Sequence, residues 1–148
     1  MIDVGSFLHP ELVVDLDAVD RNTCVDHLLG AVAGADVVPD PDAFADKIRA
    51  REAESSTAIG MGVAIPHVRM ADIPEFFIAF GRHCQGVDYD AMDGAPVQFI
   101  FLIGATNDQQ KYLKLIMRIS WLVRNDDLRR ELLAAPDAAA VYELLKQY

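Results

Sequence analysis

The chain has 148 residues, of which 52% are hydrophobic and 24% charged, a balance that suits one globular domain with its own core. Its formal charge of -10 repels a phosphate backbone, and no Lys/Arg cluster interleaved with aromatics offsets it, so nucleic acid is excluded as a partner. No apolar run approaches the roughly 18 residues that cross a bilayer, and Met1-Ile2-Asp3-Val4-Gly5 lacks the basic start of a secretory signal, which excludes direct membrane insertion and leads us to expect a cytoplasmic location.

In chain order, Leu12-Val13-Val14-Asp15-Leu16 reads as a short strand, and Val25, Leu28, Leu29 and Val32 then recur at helical spacing until Gly34. Asp40-Pro41 supplies an N-cap with proline at the first helical position, and Phe44 and Ile48 give that second helix an apolar stripe running towards Arg51. Ser55 to Gly62 is rich in small residues and reads as a loop. Val63-Ala64-Ile65 is strand-like, and Pro66 is expected to end its pairing. Phe76 to Phe80 and Val97 to Ile103 are nearly continuous apolar runs, as expected of strands covered on both faces in mid-sheet. Between them Asp93-Gly94 marks a tight turn. Gly104 to Asp108 opens a long helix with Tyr112, Leu115, Ile116, Ile119, Leu122 and Val123 on one face. Two further helices close the chain, the last capped by Asp137.

The cysteines, Cys24 and Cys84, form no C-x-x-C pair and read as small core-lining side chains of a reducing compartment. His9, His27 and His83 share no metal-ligand spacing with each other or with the cysteines, so neither a metal nor another cofactor is expected.

The chemistry concentrates between Arg51 and His67. Proline at 66 biases Ile65 towards an extended conformation and fixes its own φ, so His67 is presented in a defined direction. An imidazole with a pKa near 6.5 has a free ring lone pair at neutral pH and can attack phosphorus without a separate base. It needs a partner that holds the other ring nitrogen as a donor. Phosphoryl transfer otherwise asks for positioning and for charge neutralisation on the phosphoryl oxygens. Arg51 and Thr57 are candidate donors to those oxygens, and backbone N–H groups around Gly60 and Gly62 add to them because glycine lets an anion approach the main chain.

The run from Arg51 to His67, with the Ala64-Ile65-Pro66-His67 spacing at its centre, resembles the signature of the type-2 enzyme IIA domains of the bacterial phosphotransferase system, which include fructose, mannitol and nitrogen-regulatory branches. The likeness extends through the Asp93-Gly94 turn, the Phe99 to Ile103 strand and the Leu-rich terminal helices. It implies that His67 is phosphorylated on Nε2 by a small histidine-phosphocarrier protein and donates to a cysteine or histidine of an enzyme IIB. It also implies that Arg51 and Thr57 contact the phosphate. Many relatives carry a second histidine near the site, at a position that Tyr112 fills here. A phenol can donate one hydrogen bond to a phosphoryl oxygen but cannot carry an imidazolium's charge near neutral pH.

The expected architecture is a three-layer α/β domain of the enzyme IIA type-2 kind over residues 1–148, a small mixed sheet between helices with His67 at a crevice beyond strand ends. With no IIB or membrane IIC segment alongside, the expected role is a free-standing phosphocarrier of the nitrogen-regulatory type, passing its phosphoryl group to an enzyme IIB or a regulatory target. The alternative is a non-catalytic module of the same fold that docks to a kinase or transporter.

Overall fold

A computed structural model describes residues 2–148. A single 3-10 turn, Val4–Phe7, leads into β1, Leu8–Asp15. Two helices follow, α1 (Arg21–Gly34) and α2 (Pro41–Glu54), and then three short strands, β2 (Ala58–Gly60), β3 (Val63–Ala64) and β4 (His67–Arg69). The long strands β5 (Phe77–Val87) and β6 (Val97–Ala105) precede the helices α3 (Gln109–Leu122), α4 (Asp126–Ala134) and α5 (Ala138–Leu145).

Every one of these α-helices begins at an aspartate or asparagine, namely Asp20, Asp40, Asp108, Asn125 and Asp137, whose side chain accepts from a backbone N–H three residues on. Such a contact satisfies one of the orphan donors of the first turn and is worth about 1 kcal/mol.

The described strands form one mixed sheet in the order β1-β5-β6-β3-β2, with β4 also pairing on β6. β5 and β6 pair antiparallel in mid-sheet, while β1 runs parallel to β5, and β3 and β4 run parallel to β6. Each sheet face is covered. One carries α1 and α2, packed through Leu28, Phe44 and Ile48 onto Phe77, Ile100 and Leu102. The other carries α3, α4 and α5, packed through Leu115, Ile119, Leu128 and Leu145 onto Phe80, Phe99 and Phe101. This is a three-layer α/β architecture, and no described helix is long and apolar enough to cross a membrane.

The structure extends or corrects the sequence reading in four places. β1 begins at Leu8, and Pro10 is tolerated inside it because β1 is an edge strand whose pairing register shifts between Leu8 and Val13. Ser55 to Gly62 is not wholly loop, since β2 and β3 form a small antiparallel hairpin. Pro66 does not end the pairing: its carbonyl accepts from Ile103 N–H at 2.9 Å, and His67 resumes the ladder opposite Ile103. Proline removes a donor and leaves its acceptor intact, which is all that this position uses. Cys24 lies in the core, but Cys84 is exposed in the second half of β5.

Candidate functional site

β4 and α2 set the site. His67 and Arg69 are alternate residues of an extended strand, which places their side chains on one face. Alongside runs the second half of α2, and the start of α3 closes the third side. The resulting open cleft of about 680 Å³ gathers Lys47, Arg51, Glu54, Arg69, Asn107 and Tyr112 around His67.

The His67 ring is half-buried, and its Nδ1 lies 2.7 Å from the carbonyl oxygen of Ile65. A carbonyl can only accept, so Nδ1 carries the proton and Nε2 keeps its lone pair. Burial lowers the pKa of the ring below the ordinary imidazole value. The contact to Ile65 and the charge of Glu52 act against that shift, and the cations of Arg51 and Arg69 reinforce it. The net effect is a neutral imidazole at neutral pH. Three cationic side chains share its cleft, an arrangement suited to a nucleophile that receives an anionic group.

Tyr112 stands on the first turns of α3, with its ring centroid 5.3 Å from that of His67 and the Arg69 guanidinium carbon 5.5 Å above its face. It therefore serves two surfaces, packing on the core under α3 while walling the cleft. Burial raises its pKa, so the phenol stays protonated and able to donate. Arg51, in the last turn of α2, uses Nη1 to bond the carbonyl and hydroxyl oxygens of Ser55 at 3.0 and 3.3 Å. A guanidinium has five N–H donors, so this contact orients the fork and leaves donors facing the cleft.

Thr57 and the two glycines lie elsewhere. Thr57 is buried and donates its hydroxyl proton to Glu52 Oε1 at 2.6 Å. Gly60, Met61 and Gly62 all have positive φ and form the turn between β2 and β3, where Asp93 accepts from Met61 N–H at 2.9 Å. That turn is next to Phe99 on β6, whereas His67 is opposite Ile103, a separation of four residues or about 13 Å along the strand. The glycines serve the left-handed turn geometry and not an anion beside His67.

Comparison with known proteins gives the family and the fold. The family model for "Phosphoenolpyruvate-dependent sugar phosphotransferase system, EIIA 2" matches residues 6–148. The chain belongs to this family. Among its relatives, a fructose-specific EIIABC component of Bacillus subtilis is 32% identical over 136 residues, which cover 91% of this chain and 21% of that protein. The chain thus spans about a fifth of that relative. A fructose-specific EIIA component of Haloferax volcanii is 28% identical over 98% of this chain and 96% of its own length. A nitrogen regulatory protein of Bradyrhizobium diazoefficiens is 39% identical over 99 residues, 64% of this chain and 63% of that one. Among solved structures, nitrogen regulatory protein IIA-Ntr from Neisseria meningitidis superposes with a TM-score of 0.82 at 25% identity, covering 96% of this chain and 98% of that one.

Two features of this IIA domain escaped the sequence reading. Arg69 was signalled by its place two residues after His67 in an extended segment, a spacing that puts both on one face. Glu52 gave no such sign, since a glutamate in an exposed-looking helical turn carries no mark of burial until Tyr89, 37 positions away, is folded against it.

Proposed function

We propose that this IIA domain is a cytoplasmic phosphocarrier of the phosphoenolpyruvate-dependent phosphotransferase system, accepting a phosphoryl group on Nε2 of His67 from a histidine-phosphocarrier protein and passing it on to a protein acceptor. The observation that carries the reading is the Nδ1 contact to Ile65, which fixes the tautomer and turns the unprotonated nitrogen outward. The Nε2–P bond forms as the donor's P–N bond breaks, with the electron pair going to the departing imidazole of the donor. No proton has to move during the step, because Nδ1 keeps its own. Arg51, Arg69 and Lys47 offset the negative charge of the phosphoryl oxygens, and Tyr112 offers one neutral donor. Nothing in this scheme requires a cofactor.

Two acceptor classes have support. The 39% identity to a nitrogen regulatory protein and the TM-score of 0.82 to IIA-Ntr favour a regulatory target. The near-complete alignment with the Haloferax volcanii fructose-specific component favours an enzyme IIB. We favour the regulatory type on the higher identity.

The test is incubation with enzyme I, a histidine-phosphocarrier protein and phosphoenolpyruvate, followed by intact mass measurement. The wild type should gain one phosphoryl group and His67→Ala none. A wild type that stays unphosphorylated overturns the carrier role and leaves docking alone. Adding a fructose-type IIB then separates the two acceptor classes, since only a sugar-specific carrier transfers to it efficiently.

A further inference from the structure

We propose that the buried carboxylate of Glu52 is a positioning residue for the reaction at His67, holding the β2–β3 segment that orients the imidazole and facing the charge that the ring acquires. The inference rests on the phosphocarrier reading above and adds a residue that never enters the cleft.

Glu52 is on α2 and only 5% exposed. An ionised carboxylate at such depth is costly unless its lone pairs are met. Two hydroxyls meet them. Thr57 donates to Oε1 at 2.6 Å and Tyr89 donates to Oε2 at 2.5 Å. Tyr89 is itself fully buried, with its backbone carbonyl accepting from Ser56 Oγ at 2.6 Å and Arg21 Nη1 at 3.3 Å. Burial and the adjacent Glu52 raise the phenol's pKa far above its usual value, so it remains a donor.

From Thr57 the path to His67 is short. The Thr57 carbonyl accepts from Ile65 N–H at 3.0 Å, and the Ile65 carbonyl on the far side of that residue receives Nδ1–H of His67 at 2.7 Å. Glu52 thus fixes Thr57, Thr57 holds Ile65 by its N–H, and the carbonyl of Ile65 orients the ring. Without the carboxylate, the Thr57 hydroxyl would keep only the Tyr89 phenol beside it, and the segment carrying Ile65 would lose its anchor to α2.

The charge has a second consequence. Forming the Nε2–P bond while Nδ1 keeps its proton leaves the imidazole ring positively charged. The other charged groups facing that ring are Lys47, Arg51 and Glu54 on α2 and Arg69 on β4, with the neutral phenol of Tyr112 on α3. The cations proposed to receive the phosphoryl group therefore oppose the charge on the ring, and Glu54 in the cleft and the buried Glu52 carry the opposite sign. The interaction of Glu52 with His67 is of the favourable sign for a protonated ring, and a ring made cationic by phosphorylation carries the same sign of charge. An interaction stronger in the transition state than in the ground state is one that raises the rate.

The experiment compares wild type, Glu52→Gln, Thr57→Val and Thr57→Ser by NMR titration of His67 and by the rate of phosphoryl acceptance. Glutamine keeps a hydrogen-bonding shape, donating to one hydroxyl and accepting from the other, but removes the charge. We expect Glu52→Gln to lower the His67 titration midpoint by about half a pH unit and slow acceptance about 3- to 10-fold. Thr57→Val should slow acceptance with a smaller change in midpoint, and Thr57→Ser should restore most of that loss. A Glu52→Gln protein with unchanged midpoint and rate overturns the proposal, as does equal behaviour of Thr57→Val and Thr57→Ser. The midpoint is read without any phosphoryl donor, so a failure of the carrier role and a failure of Glu52 are separately visible.

Discussion

Arg69→Gln isolates the contribution of the cation that shares a strand face with His67, the proposed nucleophile. Residues two apart in a strand are separated by about 7 Å, and the guanidinium and the His67 ring flank the same Tyr112 ring. For one unit charge at about 7 Å in an effective dielectric of about 20 to 40, Coulomb's law gives about 1.2 to 2.4 kcal/mol. At 1.36 kcal/mol per tenfold, that range corresponds to a loss of about 8- to 60-fold in rate. The cleft is open and Arg69 exposed, so solvent screening favours the lower end, about 5- to 10-fold. Because the incoming phosphoryl group is already anionic on the donor, the loss should fall on kcat/KM for phosphoryl acceptance, measured at subsaturating phosphorylated donor. Arg69→Lys should retain most of the rate, and raising the salt concentration should narrow the gap between wild type and Arg69→Gln. A change of less than twofold, or a gap indifferent to salt, would refute the assignment.

The neutral ring makes acceptance depend on pH in one direction only: the rate should be flat through neutrality and fall in acid, with a midpoint below the usual imidazole value of about 6.5, because burial lowers the His67 pKa. Between that lowered value and about 6.5 the unfolded chain binds the extra proton and the folded chain does not, so stability should fall as pH drops through this window. Urea titrations at several pH values check this, and His67→Ala should lack that part of the acid sensitivity. In mid-sheet, a Cβ on Gly104 would overlap Cε1 and Cζ of Phe77, which packs on Phe44 of α2 at a centroid distance of 5.5 Å. Gly104→Ala should therefore cost about 1–3 kcal/mol by overpacking and lower the melting temperature by about 3–9 °C for a chain of this size. A melting temperature within a degree of wild type would show that Phe77 has room to move.

Sequence made parts of this molecule legible for identifiable reasons. Phe76 to Phe80 and Val97 to Ile103 pointed to mid-sheet strands because both of their faces are covered, so polar residues had no place to alternate. The second half of β5 was invisible because Arg82 and His83 interrupt the apolar run. Arg82 is nonetheless buried, paired with Asp15 at 2.7 Å and bonded to the carbonyls of Leu132 and Ala135, and those partners are remote in sequence. His83 is likewise satisfied inside the fold, against the Ala18 carbonyl and Gly86 N–H. At the site, His67 and Arg51 were named from the run that carries them and Tyr112 from the family resemblance, and the three converge on one cleft. Thr57, Gly60 and Gly62 were drawn to the same chemistry by sequence proximity, but a hairpin turn intervenes and carries the glycines along β6 away from the imidazole. Proximity along a chain is a poor guide wherever the chain reverses within a few residues.

The resumption of pairing after Pro66 has a kinetic meaning. Because the imidazole is borne on a strand laced to β6, and not on a swinging loop, a phosphoryl group carried there, as proposed, would have one way in and the same way out. On the proposed function, giver and receiver would have to take turns at a single mouth, each excluding the other while it is there. Turnover should then follow a ping-pong pattern in which an excess of either visitor slows the exchange by blocking its counterpart.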